Sequence, residues 1–161
     1  MLPKRVLEFY TDGSCSTKTE MGGWAAICLE DDNLIDTHQG YEPYTTNNRM
    51  EISAVLSAME SIDTIETRNT EVIIYTDSAY VANCFNQGWF RSWIKNGWRT
   101  ADKQPVKNQD LWSRLIALYI KNKEKFNIQF VKVAAHKDNK WNNYVDLLAQ
   151  KNRRILEEAG E

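Results

Sequence analysis

A chain of 161 residues with 42% hydrophobic content can bury one core and is too apolar to remain disordered. Its net charge of −2 is near balance, no stretch approaches the ~20 apolar residues of a membrane span, and the basic start Met1-Leu2-Pro3-Lys4-Arg5 leads into no apolar run of the kind that marks a secretion signal. The cysteines, Cys15, Cys28 and Cys84, are odd in number and lack paired spacing, so they read as reduced thiols of a cytoplasmic protein, with neither a zinc knuckle nor a disulfide framework.

Arg5 to Asp12 is rich in strand formers and predicts a first strand that ends in Tyr10-Thr11-Asp12-Gly13, with Asp12 at its tip. Gly22 to Glu30 and Leu34 to Gly40 predict two more, split by the turn Asp31-Asp32-Asn33. Short connections make these three an antiparallel meander. From Asn48 to about Ile62 the apolar residues Ile52, Val55, Met59 and Ile62 recur at three and four, the spacing of a buried helix face, with Thr46, Asn47 or Asn48 as its cap. Glu71 to Asp77 is a fourth strand, reached through that helix and therefore parallel to the first. Ser78 caps a short helix to Phe85. Residues 86–107 are polar, aromatic and basic, with Gly88, Gly97 and Pro105, and predict a short helix and a projecting loop. Asp110 to Ile120 is a helix with Leu111, Leu115 and Leu118 inward. Phe126 to Val133 alternates as a fifth strand. Lys140 to Glu158 is the last helix, with Val145, Leu148, Ala149, Ile155 and Leu156 inward. The expected architecture is a single α/β domain over residues 1–161: a five-stranded mixed sheet, an antiparallel meander plus two parallel strands, flanked by helices.

Tyr75-Thr76-Asp77-Ser78 closes the fourth strand as Tyr10-Thr11-Asp12-Gly13 closes the first. Parallel neighbours lie about 4.8 Å apart, so Asp12 and Asp77 share one edge of the sheet. Like charges at that spacing repel unless a cation lies between them, and a hard divalent ion with oxygen ligands fits. Glu51 and Asp146 each fall on or beside a buried helical stripe, where a carboxylate is costly without a partner. Each of the four has a bland explanation, as turn former, helix-end charge or solvent-reaching side chain. One shared cause is more economical: together they could hold two Mg²⁺ ions about 3.5–4 Å apart, as in phosphodiester cleavage. His136, on a loop ten residues before Asp146, suits proton transfer. His38 has no carboxylate motif near it and reads as structural.

Charge is unevenly spread. Residues 88–141 hold twelve Lys and Arg against four Asp and Glu, together with Trp89, Trp93, Trp98, Trp112 and Trp141, five of the six tryptophans. Cations among aromatics fit a surface that follows a phosphate backbone. Arg91, Lys95, Arg99, Lys103 and Lys107 recur every four residues, although Gly97 argues against one straight helix and splits the cluster between helix and loop.

These residues resemble the type 1 ribonucleases H over nearly the whole chain. Tyr10-Thr11-Asp12-Gly13-Ser14-Cys15, Gly22-Gly23-Trp24-Ala25-Ala26, Thr46-Asn47-Asn48-Arg49-Met50-Glu51 and Thr76-Asp77-Ser78-Ala79-Tyr80-Val81 are similar to that family's ordered motifs. So are the segment from Trp93 to Trp112, and His136, Asn142 and Asp146-Leu147-Leu148-Ala149. The resemblance implies hydrolysis of the RNA strand of an RNA–DNA hybrid. It implies two Mg²⁺ ions, with Mn²⁺ able to substitute, on Asp12, Glu51, Asp77 and Asp146, and assistance from His136. It implies that Trp89, Trp93, Lys95, Arg99 and Lys103 follow the DNA strand, from a basic protrusion at about 86–107, while Asn47 approaches the RNA 2′-hydroxyls and Asn142 joins the terminal motif. The cysteine usage and the lack of a long apolar run lead us to expect a cytoplasmic protein with no membrane attachment, and a monomer is expected. The chain departs from the family pattern at the Ser16-Thr17-Lys18-Thr19-Glu20-Met21 loop and at Ala134 to Asp138. Ala79 replaces a common Gln, and Tyr44 and Ser92 stand where relatives often carry a cation and an Asn near a DNA phosphate. Competing readings are a module that binds hybrid without cutting it, another nuclease on the same architecture, or a purely structural domain.

Overall fold

A computed structural model describes residues 4–66, 69–134 and 139–160. Its strands are β1 Arg5–Cys15, β2 Gly22–Glu30, β3 Asn33–Glu42, β4 Thr70–Thr76 and β5 Asn127–Lys132; its helices are α1 Asn47–Asp63, α2 Ala79–Asn86, α3 Trp89–Lys95, α4 Gln109–Asn122 and α5 Lys140–Ala159. The strands form one sheet in the order β3-β2-β1-β4-β5. β1 to β3 pair antiparallel, and β1, β4 and β5 pair parallel, as the meander and the helical crossover require.

Alternation along the central strands builds two cores. Leu7, Phe9, Ala26, Cys28, Val72 and Ile74 face the side covered by α1, α2, α3 and α4, where Ile52, Val55, Met59, Phe85, Trp112 and Leu115 are buried. Tyr10, Ala25, Ile27 and Leu29 face α5 and pack on Val145. Each fully buried large apolar side chain contributes about 1.5–3 kcal/mol over leaving it in water. Thr46 caps α1, accepting from the Arg49 amide at 3.2 Å, and Ser78 caps α2 in the same way at 3.2 Å.

Two glycines set how closely the helices approach the sheet. A Cβ on Gly13 would lie 2.5 Å from the Glu51 backbone nitrogen, and one on Gly23 would lie 2.3 Å from the Ala149 carbonyl oxygen. Only glycine permits that approach, so β1 carries α1 and β2 carries α5 at nearly backbone distance.

Three expectations need correction. β1 does not end at Asp12: its parallel pairing with β4 stops at Tyr10 and Tyr75, while its antiparallel pairing with β2 runs on to Cys15 opposite Gly22. Asp12 is therefore inside a strand, just past the point where β4 leaves it. Ile155 of α5 faces outward, 43% exposed, because the inward places go to Asn152, which donates to the Gln39 side chain at 2.9 Å, and Arg153, which donates to Ser14 Oγ at 2.8 Å. The tryptophans of the basic segment do not all face solvent. Trp112 is wholly buried and Trp93 nearly so, joined edge-on at 5.4 Å, and Trp141 packs on the α5 side of the sheet. Indoles are too large for a thin protrusion to carry unsupported, and this cluster fastens it to α4.

The protrusion itself divides as Gly97 suggests. α3 ends at Lys95, and Gly97 and Trp98 take left-handed φ values of 76° and 64°. The chain then turns back on itself, with the Trp98 amide donating to the Trp93 carbonyl at 2.7 Å and the Val106 amide to the Trp98 carbonyl at 3.0 Å.

Candidate active site

At the end of the sheet where β4 diverges from β1, three elements deliver carboxylates to one point. Asp12 comes from β1 and is 4% exposed; Glu51 comes from the start of α1 and is 7% exposed; Asp77 follows β4. Ligand oxygens of these three lie within 4.8 Å of one another. The Gly13 amide is shared, donating to Asp12 Oδ1 at 2.9 Å and to Glu51 Oε1. The same missing Cβ that brings α1 onto β1 thus lets one backbone N–H hold two carboxylates. Asp146 on α5 lines the cavity but is not part of the tight trio; its Oδ2 accepts from Gln150 Nε2 at 3.1 Å. The cavity holds about 340 Å³ and is lined also by Gly13, Asn47, Asn48, Ser78, Asn142 and Asn143.

Charge crowding shows in the titration of the group. Burial, first, pushes the Asp12 carboxyl up to about 8; the hydrogen bond with Glu51 works the other way, and the charges of Asp77 and Asp146 add to the rise. Burial and the neighbouring Asp12 hold Glu51 well above the usual carboxylate range. Without a cation, both carboxyls hold their protons more tightly than an exposed carboxyl does. Glu51 Oε2 is buried and has no hydrogen-bond partner among the described residues. Such an oxygen is costly unless something satisfies it. An all-oxygen donor set of this kind suits a hard divalent cation.

The other expected residues divide into two groups. Asn47 and Asn142 line the carboxylate cavity, as expected. Asn47 Oδ1 accepts from the Cys15 amide at 2.7 Å, which ties the start of α1 to the end of β1, and Asn142 is 4% exposed. Trp89, Trp93 and Arg99 line a second, more apolar cavity of about 710 Å³ between α3 and the loop that follows it, together with Tyr80, Val106 and Lys107. Trp93, 7% exposed, forms its floor. Lys95 and Lys103 are exposed on the protrusion outside this cavity. His136 lies outside the described residues. His38 is on β3, its Nε2 2.9 Å from Asp36 Oδ2, away from the carboxylates.

Two features escape a reading of the sequence. Asn48 lines both cavities and so joins them. Its neighbour Arg49 is a hub: it reaches Glu42 at 3.2 Å, Asn108 Oδ1 at 3.3 Å and both oxygens of Asp110 at 3.0 Å. Arg49 thereby clamps the first turn of α1 to the first turn of α4. A cation at a helix start, opposed by the dipole, is the signal that points to it.

The family profile of RNase H matches residues 4–154. A ribonuclease H of Chlorobaculum parvum is 42% identical over 147 residues, 91% of this chain and 94% of that protein. One from Moorella thermoacetica is 42% identical over 141 residues, 88% of this chain and 87% of the other. Among solved structures, a type 1 RNase H with the type 2 active-site motif superposes with a TM-score of 0.76 at 24% identity, covering 94% of this chain and 73% of that one. A foamy viral protease-reverse transcriptase in complex with RNA/DNA hybrid superposes at 0.75 and 22% identity, covering 95% of this chain and 21% of that one. Sheet order, carboxylate trio and sequence identity agree, and the chain belongs to the ribonuclease H family.

Proposed function

We propose that this chain is an endoribonuclease that hydrolyses the RNA strand of RNA–DNA hybrids, with Asp12, Glu51, Asp77 and Asp146 holding two Mg²⁺ ions that Mn²⁺ can replace. The observation that carries the proposal is the meeting of three carboxylates at one sheet end, with a buried Glu51 oxygen left for a ligand. The names and identities of the curated relatives support it. Bound metal would supply a polarised phosphate oxygen and an acidified water.

The chain's own residues do the rest. The Gly13 amide orients Asp12 and Glu51, and Gln150 orients Asp146. Asn47 and Asn142 line the cleft, where Asn47 meets the ribose 2′-hydroxyl, the group that distinguishes RNA from DNA. Lys95, Arg99 and Lys103 take phosphates of the DNA strand, and Trp89 offers it an aromatic face above Trp93. His136 moves a proton at the attacking water or the leaving oxygen. In this reading residues 1–161 act as one catalytic domain, monomeric, cytoplasmic and unattached to membranes.

The test is direct: purified protein with labelled RNA–DNA hybrid, RNA duplex and DNA duplex, with and without Mg²⁺. Cleavage confined to the RNA strand of the hybrid, and dependent on Mg²⁺, is the expected result. Equal cutting of all three, or cutting in a chelator, would overturn the proposal.

A further inference from the structure

The two edges of the sheet are finished differently. β5 is short, ends in Lys132, and has its Phe130 carbonyl taken by the Asn86 side chain of α2, which donates at 3.0 Å. An edge cation and a side-chain cover discourage another chain from pairing there. β3, at the opposite edge, holds no Lys, Arg or Pro. Its pairing with β2 slips between Cys28 and Leu29, but from Asp36 to Glu42 the register is unbroken. Among the described residues the outer side of this stretch pairs with no strand, and its one side-chain cover is Asp36 Oδ1, which accepts from the Thr37 amide at 3.0 Å. An antiparallel edge strand turns every second N–H and C=O outward, a template for one more strand.

A cavity of about 590 Å³ opens beside this edge, lined by Trp24, Asp36 and His38 of the sheet and by Ser57, Glu60 and Thr64 of the far end of α1. The Trp24 ring lies against Gly40 of β3, where a Cβ would sit 2.5 Å from its Cζ2. Asp36 has His38 at 2.9 Å, and Glu60 has a long contact with Arg114 at 3.5 Å. Asp31 and Asp32, exposed in the turn that leads into β3, add to the negative charge. Carboxylates beside an indole suit an ammonium or guanidinium group. We propose that the outer edge of β3 and this cavity form a docking site for an extended segment of a partner protein in which Lys or Arg alternates with apolar residues. Added as a sixth strand about 4.8 Å outside β3, such a segment places every second side chain on the cavity side of the sheet, where a cation meets Asp36 and Glu60. The intervening side chains fall on the other face, where Gln39 meets Asn152 of α5 and Tyr41 is 51% exposed, and a β-branched residue there packs on the Tyr41 ring. Backbone bonds hold the strand, and the cavity selects it. Charge disfavours a second copy as the occupant, because Asp31, Asp32 and Asp36 of two like edges repel one another. The site is apart from the carboxylate cleft: Glu60 lies about 13.5 Å along α1 from Glu51.

The probe is a fluorescein-labelled synthetic peptide of about ten residues that alternates lysine and valine, the length of a long strand. Its binding to the full chain is read by fluorescence anisotropy. It should bind, and the same peptide with glutamate in place of lysine should not. N-methylation of alternate residues tests the ladder: one set of methyl groups faces β3 and should abolish binding, while the other faces solvent and should leave it intact. Asp36→Asn combined with Glu60→Gln should weaken binding about 2- to 30-fold, the loss of two exposed charge pairs. Asp12→Asn combined with Asp77→Asn removes as much charge from the carboxylate cleft and should leave peptide binding unchanged. No binding of the lysine peptide, equal binding of the two N-methylated peptides, or equal weakening in the two double variants overturns the proposal. So does sedimentation that shows the protein alone dimerising as its concentration rises and losing the dimer in Asp36→Asn, since the edge would then belong to a second copy.

Discussion

Replacing Asp12 with Asn removes a group whose titration is itself a measure of crowding. In the metal-free protein Asp12 titrates near 8, against about 3.9 in an unfolded chain. Between those values the native state keeps a proton that the unfolded state has released. Stability therefore falls as pH rises through this window, by up to about 1.4 kcal/mol per pH unit for each such proton. Glu51, also raised, adds a slope of its own in the same direction. Asp12→Asn should remove one of the two, and its amide oxygen can still accept from Gly13. The slopes of wild type and variant should thus differ by about 1.4 kcal/mol per pH unit, or roughly 3–6 °C in Tm at about 2–4 °C per kcal/mol for a chain of this size. Thermal unfolding followed by circular dichroism in a chelator, at steps from pH 5 to 8, reads this difference. The variant should be the more stable protein at pH 8 and should not cleave hybrid when Mg²⁺ is restored. Saturating Mg²⁺ should raise the wild-type Tm most at high pH, where metal and proton compete least. Parallel Tm–pH lines for the two proteins would show that Asp12 is an ordinary surface carboxylate and remove the physical case for a metal site.

Other outcomes follow from particular residues. His136→Ala should cleave about 10²- to 10⁴-fold more slowly and remain measurable, as expected when a proton shuttle is removed; an unchanged pH–rate profile would take His136 out of the chemistry. Neutralising Lys95, Arg99 and Lys103 together should raise the Michaelis constant for hybrid and flatten the salt dependence of binding by roughly one unit of log–log slope for each phosphate left without its cation; a wild-type slope would leave these residues as solvated charges. Gly13→Ala should destabilise the protein by about 1–3 kcal/mol and lower cleavage, because α1 must retreat from β1 and carry Glu51 with it; a variant with wild-type Tm and rate would show that the close approach is not needed.

Much of this arrangement is legible in the residue pattern because it follows from short-range rules. Alternation in β1 and β4 and the three-and-four spacing of Ile52, Val55, Met59 and Ile62 fix which faces are buried, and the helix between β1 and β4 fixes their parallel pairing. Asp12, Glu51 and Asp77 could be brought together on that basis alone. What stayed hidden depends on partners far along the chain. The extension of β1 to Cys15 is dictated by β2, which no local signal in Gly13-Ser14-Cys15 announces. In sequence Trp93 and Trp112 look no different from half-buried Trp89 and Trp98 of the same basic stretch, and only the fold of the loop against α4 decides that they are buried. The outward turn of Ile155 follows from Asn152 and Arg153 finding partners on β3 and β1, 113 and 139 residues away in the chain.

The Arg49 clamp has a consequence for how this chain can be taken apart. The protrusion looks like an appendage, an insertion between α2 and α4 that could be trimmed or exchanged with that of a relative. Yet its trailing end, Asn108 and Asp110, is bonded to the same helical turn that presents Asn47, Asn48 and Glu51. The border of any exchangeable module therefore runs through α4, beyond Asp110. A graft that keeps Lys95, Arg99 and Lys103 but breaks at residue 107 would transplant the charges and lose the hinge pin that aligns them with the cleft.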